Sequence, residues 1–248
     1  MSDEYVLVTG GGSGIGMGLA QAFHARGATV IIAGRNRASL DTVALRHPGM
    51  MVEVVDVADP ASVEALVERV TARHPGLNLL INNAGIQQAL DFAGETPPEI
   101  ATIAREIDTN LKGLIHVSAA FLPLLRRQPS ARLVHVGSGL AYVPLALAPV
   151  YSATKAAVHS FTISLRHQLA STSVRVIEIL PPVVDTALHR GLAQKPPNAM
   201  SLPRFVKAAM AGLDAGTPEI VVGLAKVLKV AQRVAPGLFL KVVNKRPR

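Results

Sequence analysis

Short apolar runs recur along the chain, and longer stretches of helical period lie between them. Tyr5–Thr9, Thr29–Ala33, Met51–Val55, Leu79–Asn82, Arg132–Ser138, Val174–Leu180 and Ile220–Val222 are rich in Val, Ile and Leu and alternate little between apolar and polar. Runs of that kind belong to strands buried on both faces, as in a parallel sheet covered by helices. Gly14–His24, Arg37–Arg46, Pro60–His74, Pro98–Arg127 and Ser152–Ala170 predict helices between them. The alternation of strand and helix predicts an α/β fold with a doubly wound parallel sheet. Two stretches break the rhythm. Residues 182–203 read as a loop, marked by Pro182, Pro196, Pro197 and Pro203. Residues 224–248 read as a basic, helix-like tail.

Composition narrows the chemistry. The 248 residues fit one domain, read as 1–248 with 223–248 as an amphipathic extension. There is no cysteine, so disulfides, cysteine zinc sites, iron–sulfur clusters and thiol catalysis are excluded. Apolar residues make up 49% and charged residues 17%, a well-folded globular balance. No apolar run approaches the roughly 20 residues of a membrane span. Met1–Glu4 is acidic where a signal peptide would be basic, so the expected compartment is the cytoplasm. The formal charge of +8 is concentrated at one end: residues 223–248 carry seven Lys or Arg and no acid. The other 222 residues hold 18 basic against 17 acidic groups, which argues against a nucleic-acid binder.

The first strand runs into Thr9-Gly10-Gly11-Gly12-Ser13-Gly14-Ile15-Gly16, and a helix follows at once. Glycines let the backbone turn tightly and approach a pyrophosphate without an intervening Cβ. The helix N-terminus adds free N–H groups and a partial positive charge. Strand, glycines and helix in that order predict a Rossmann-type nucleotide site. The second strand ends in Gly34-Arg35-Asn36-Arg37 rather than in an acid. An acid there would accept hydrogen bonds from an adenosine ribose and favour NAD(H). A guanidinium suits a 2′-phosphate, so NADP(H) is expected over NAD(H), with Arg35 and Asn36 as contacts. The alternative is that Arg35 and Arg37 are solvated loop charges. Asp56 is a candidate for the adenine amino group, and Asp59 is better placed to cap the Pro60 helix.

Tyr151 and Lys155 stand four apart at the start of a helix and share one face. An ammonium beside a phenol favours the phenolate and would lower its pKa from about 10. A tyrosine so tuned exchanges protons near neutral pH. Ser138 ends the preceding strand, where such folds bind ligands.

With these residues in place the chain resembles the short-chain dehydrogenase/reductases, in their compact branch, over roughly residues 5–223. Within that family it is similar to bacterial oxidoreductases described as DltE-like. The Thr9–Gly16 segment, Asp56, Asn82-Asn83-Ala84-Gly85, Asn110, and Ser138 with Tyr151 and Lys155 match its motifs in order. The resemblance implies cofactor contacts at Gly10, Ser13, Gly14, Ile15, Gly16, Asp56, Val57, Asn83, Ala84, Gly85, Tyr151, Lys155, Pro181 and Thr186. It implies that Tyr151 exchanges the proton with the carbonyl oxygen and that Ser138 hydrogen-bonds that oxygen. Lys155 would bind the nicotinamide ribose and tune Tyr151. Asn110 would hold a water linking Lys155 to solvent. No metal is called for, because the hydroxyls polarise the carbonyl. One departure is Pro182, where the family often has glycine; it removes an N–H and stiffens the turn before Thr186.

Substrate contacts are expected from Gly139–Pro144, with Gly139, Leu140 and Tyr142 foremost, from Gln87–Leu90, and from the 185–203 loop. The first segment is mostly apolar and lacks a cation, which favours a neutral, lipophilic carbonyl or alcohol. Tyr142 either lines the pocket or packs at its mouth, and His189 reads as a surface residue. In the tail, Leu224, Val227, Leu228, Ala231 and Ala235 share a face opposite Lys226, Lys229 and Arg233. That face packs on the body or a partner subunit, or lies on an anionic membrane. The resemblance implies a homodimer or homotetramer paired through the two long helices. Three functions stay open: an NADP(H)-dependent carbonyl reductase or alcohol dehydrogenase, a reductase of carrier-bound 3-oxoacyl chains, and a non-catalytic nucleotide-binding regulator or scaffold.

Overall fold

The computed structural model describes residues 4–186, 188 and 198–245. Seven strands form one parallel sheet in the order β3-β2-β1-β4-β5-β6-β7. They are β1 Tyr5–Thr9, β2 Thr29–Gly34, β3 Met51–Val54, β4 Leu79–Asn82, β5 Ala131–Val136, β6 Val174–Leu180 and β7 Glu219–Val221. The strand order reverses between β1 and β4. The crevice outside the carboxyl ends of the strands at that point is where open α/β sheets bind ligands.

Both faces of the sheet are covered, which explains the unalternating apolar runs. Val6 and Val8 face one core with Phe23 of α1 (Gly14–His24), Leu40 of α2 (Arg37–Arg46) and Phe205 of α7 (Leu202–Asp214). Leu7, between them, faces the other core. There it meets Leu66 of α3 (Pro60–Arg73), Phe121 of α5 (Gly113–Arg126) and Leu165 of α6 (Pro149–Gln168). Asn82, Ser118, His135 and Thr162 form a buried hydrogen-bonded chain through the second core. Burial pushes the His135 imidazole down to about 3, so it is neutral there.

Several elements depart from expectation. The single helix expected over 98–127 is α4 (Ile100–Ile107), a π-turn at Asp108–Lys112, and α5. The helix expected from Ser152 begins three residues earlier, because Pro149 sits in its first turn, where a missing N–H is harmless. Helix α7 was not anticipated. Its signals were a Ser201 boundary, Pro203 in the first turn, and Phe205, Ala209 and Leu213 four apart. Within the expected loop, Val184 and Met200 form a parallel bridge. His189 lies outside the described residues.

The tail forms α8 (Ala225–Val234) and α9 (Pro236–Val243), separated at Ala235 and Pro236. Its expected single apolar face is divided. Ala225 and Ala231 are buried and Leu228 packs near Tyr142 and Val143, whereas Leu224 and Val227 are exposed. Lys229, expected on the outer side, turns inward and pairs with Glu219 at 2.8 Å. The body offers α8 a carboxylate as well as an apolar surface.

Candidate active site

The glycine loop is held shut by its neighbours. Gly10 has φ +66° and Gly14 +53°, backbone geometry that disfavours a side chain. A Cβ on Gly10 would come within 2.8 Å of Asn83 Nδ2 and 2.9 Å of Ala84 Cα. Asn83 cannot retreat, because its amide donates to the carbonyls of Thr9 (3.0 Å) and Gly10 (3.3 Å). The Thr9 hydroxyl accepts from the Asn83 and Ala84 N–H groups. Asn83 thus clamps β4 to the loop through its side chain. Ser13 opens α1 with no side-chain cap, and no acid stands in the first turn, so the terminal N–H groups face outward as donors. Thr186 lies over Gly14, with its Cβ 3.3 Å from where a Gly14 Cβ would sit. Gly10, Gly14, Thr186 and the start of α1 therefore enclose one cradle.

At the end of β2, Arg35 is exposed and makes no ion pair among the described residues. Arg37 is engaged with Asp41 at 2.8 Å. The Asn36 carboxamide oxygen accepts from Ser39 N–H and caps α2, which leaves its Nδ2 group outward. Asp56 turns its carboxylate onto Ala58 N–H, and Asp59 caps α3 as expected. Val57 packs under Gly113, where a Cβ would meet its Cγ2 at 2.8 Å.

Ser138, Tyr151 and Lys155 converge at the carboxyl end of β5, all three buried. The Ser138 hydroxyl accepts from Leu140 N–H and lies near enough to the Tyr151 phenol to act on its pKa. Lys155 Nζ lies 5.6 Å from the Tyr151 ring centre and donates to the Val136 carbonyl at 2.8 Å. Burial pushes Tyr151 up to about 12, against the opposing effect of the nearby Ser138 hydroxyl. Burial pushes Lys155 down to about 8, although Glu178 holds it up. The expectation that Lys155 lowers the Tyr151 pKa is not met in this state. The ammonium is tied to a main-chain carbonyl, and desolvation of the phenol outweighs it.

Asn110 sits in the π-turn, fully buried. Its side chain accepts from Ile86 N–H and donates to Ile86 O, both at 2.8 Å, and reaches Thr154. Its side chain thereby pins the segment after Gly85 to the helix, with both of its polar groups engaged. Glu106, one turn earlier, does the same for Gln88, accepting its N–H at 3.0 Å. Glu106 is fully buried, its second oxygen has no partner, and burial raises its pKa. Sequence reasoning missed it, although its spacing of four from Asn110 puts both on one helical face. It also missed the pair of a partly exposed His159 Nδ1 and the buried Glu178 Oε2 (2.6 Å).

On the substrate side, Gly139 lies under α8, where its Cβ would meet Ala225 and Leu228. Tyr142 is nearly buried, stacked edge-on against His159, and its hydroxyl donates to Glu219. Its ring belongs to a small apolar cluster with Val143, Leu180 and Leu228. Leu140 is half-buried beside Ser138. Pro181 accepts from Gly139 N–H, and Pro182 packs over Gly223.

A family model of short chain dehydrogenases matches residues 4–197. The chain belongs to the short-chain dehydrogenase family. It is an oxidoreductase of that family, with the nucleotide-binding Rossmann fold. The uncharacterized oxidoreductase DltE of Bacillus subtilis is 43% identical over 98% of this chain and 98% of its own. A short chain dehydrogenase from Burkholderia cenocepacia, solved with NADP, superposes with a TM-score of 0.85 at 27% identity, covering 99% of this chain and 98% of that one. A 3-ketoacyl-(acyl-carrier-protein) reductase from Brucella melitensis, solved with NADH, gives 0.79 at 26%, covering 88% and 94%. Short-chain dehydrogenases act on small molecules and commonly assemble as oligomers. Among the described residues, no helix is long and apolar enough to cross a membrane.

Proposed function

We propose that the chain is an NADP(H)-dependent oxidoreductase that interconverts a lipophilic carbonyl and its alcohol. The observation that carries this reading is the burial of Ser138, Tyr151 and Lys155 together at the carboxyl end of β5, with Lys155 Nζ 5.6 Å from the Tyr151 ring centre, at the same end of the sheet as the glycine cradle. The residues present fit a dinucleotide. Gly10 leaves no room for a Cβ and Gly14 holds a positive φ, the α1 N-terminus has no side-chain cap, and Arg35 is exposed without an acidic partner among the described residues. Gly10, Ser13, Gly14, Ile15, Gly16 and Thr186 would hold the pyrophosphate end, Arg35 the 2′-phosphate, and Asp56 with Val57 the adenine. Pro181, Ala84, Gly85 and Lys155 would flank the nicotinamide end. Bound there, the nicotinamide supplies or accepts the hydride.

In the reducing direction Ser138 donates to the carbonyl oxygen and Tyr151 gives it a proton. A phenol at about 12 is protonated at neutral pH and remains a far stronger acid than the alcohol formed. Lys155, at about 8, is close enough to neutrality to return the proton to Tyr151. Asn110 fixes the Ile86 backbone that faces this group. Gly139 and Leu140 would touch the substrate, whose lipophilic character is read from the apolar 139–144 segment. We place the protein in the cytoplasm and expect it to pair through α4, α5 and α6, where Ile100 and Ile163 are exposed. The exposed cations of α8 also fit an acidic acyl carrier, the second reading.

The test is an absorbance assay with NADPH and NADH in parallel against lipophilic ketones, aldehydes and 3-oxoacyl thioesters, free and carrier-bound. Turnover that disappears in Tyr151→Phe, with NADPH binding retained, supports the reading. Full turnover in Tyr151→Phe refutes the role of the phenol. Turnover restricted to carrier-bound chains selects the second reading, and binding of NADPH without turnover across the panel favours a non-catalytic protein. Arg35→Ala is expected to weaken NADPH at least about tenfold and leave NADH unchanged.

A further inference from the structure

We propose that α8 and α9 form a docking surface for an anionic lipid bilayer. The inference stands apart from the catalytic reading, because it rests on the C-terminal helices alone. Val227, Val230 and Val234 stand at i, i+3 and i+7 on the outer side of α8, the last two 61% and 77% exposed. Leu238 and Val242 continue the apolar band on α9 and are 60% and 57% exposed. A monomer seldom leaves five large aliphatics on consecutive helices in water without a partner.

The helices are not loose. Ala225 and Ala231 are buried, Lys229 is paired with Glu219, and Asn244 donates to the Pro144 carbonyl while its own oxygen accepts from Ala146 N–H. The inner face is thus fastened to the body, and the outer face is held in shape for an external partner.

Charge selects the occupant. Lys226, Arg233, Lys241 and Lys245 are exposed around the aliphatic band, and residues 223–245 contain no acid. A two-fold contact with a second copy sets a patch against itself and would bring these cations together. Nucleic acid would satisfy the cations and leave the valines without a partner. An anionic bilayer satisfies both: aliphatics enter the acyl boundary and cations meet the headgroups.

The experiment is co-sedimentation of the full chain with phosphatidylcholine vesicles, with and without phosphatidylglycerol. Sedimentation that requires phosphatidylglycerol and fades at high salt is the expected result. Lys226→Glu with Arg233→Glu should weaken binding at least about 25-fold, taking roughly fivefold for each cation lost near the surface. Val230→Asp with Val234→Asp should weaken it at least about tenfold. All four residues are exposed, so an unchanged thermal unfolding profile accompanies either variant. Should the valine variant fail to fold, the charge variant and the salt series still decide. Three results overturn the proposal: no binding to phosphatidylglycerol vesicles, equal binding to pure phosphatidylcholine, or binding untouched by both variants. An oligomer that the valine variant splits, with no vesicle binding, assigns the patch to a second copy instead. Binding to an acidic protein or to DNA, with no vesicle binding, overturns it as well.

Discussion

Replacing Gly10 with alanine tests the clamp on the nucleotide loop. Two costs add. At φ +66° an L-residue carries about 1–2 kcal/mol of backbone strain. The new Cβ would also meet Asn83 Nδ2 at 2.8 Å and Ala84 Cα at 2.9 Å, closer than ordinary van der Waals contact. Asn83 can move only by giving up hydrogen bonds to Thr9 and Gly10, and Ala84 is main chain, so overpacking adds about 1–3 kcal/mol. The sum is a destabilisation of about 2–5 kcal/mol. For 248 residues the unfolding entropy makes each kcal/mol worth about 2 °C, so Tm should fall by about 4–10 °C. NADPH affinity, read by fluorescence titration, should fall at least about tenfold, because the distorted segment is the one that would carry the phosphates. Gly237→Ala is the control. Its φ is not positive and nothing lies within 4 Å of its would-be Cβ, so helix propensity should leave Tm unchanged or raise it by up to about 2 °C. A Gly10→Ala protein with Tm within 2 °C of wild type, by the same scale of about 2 °C per kcal/mol, and unchanged affinity would refute the reasoning.

Other outcomes follow from the polar groups around the crevice. The His159 pKa is raised by its hydrogen bond to Glu178 against the opposing effect of burial. A raised histidine pKa contributes stability that is complete below its unfolded value of about 6.5 and lost as pH rises through the folded value. The stability gap between wild type and His159→Asn, from denaturant titrations at several pH values, should therefore narrow above neutrality; a gap that widens contradicts the pairing. Glu106 has its pKa raised by burial, so wild type loses stability as pH rises above the usual carboxylate range. Glu106→Gln keeps the acceptor for Gln88 N–H and should gain stability on wild type between acid and neutral pH; a flat difference would place that carboxyl in water. Lys229→Met removes the partner of Glu219 and should cost about 1 kcal/mol, near 2 °C in Tm.

Much of the site was legible because it is written in local spacings. The glycine run after β1, the four-residue step from Tyr151 to Lys155, and the unalternating strands each reflect geometry that a dozen residues determine. The extent of elements was less legible. Helix α7 follows a proline-rich stretch, and its apolar residues read as a helix only once they are known to cover the α1 face of the sheet. The π-turn at Asp108–Lys112 has no composition of its own, and it brings Asn110 onto the Ile86 backbone.

The sequence by itself determined the α/β class, the family and the residues that converge on the crevice. It could do so because periodicity and motif spacing are properties of short segments. Only the tertiary structure decided where Lys155 sends its ammonium, that Asn110 and Glu106 fasten the segment after Gly85, and that Lys229 turns inward. Those outcomes depend on which carbonyl, N–H or carboxylate arrives from elsewhere in the chain. The same holds for the tail: helical spacing announced an apolar stripe, but the shape of the body chose which aliphatics it covers and which it leaves in water.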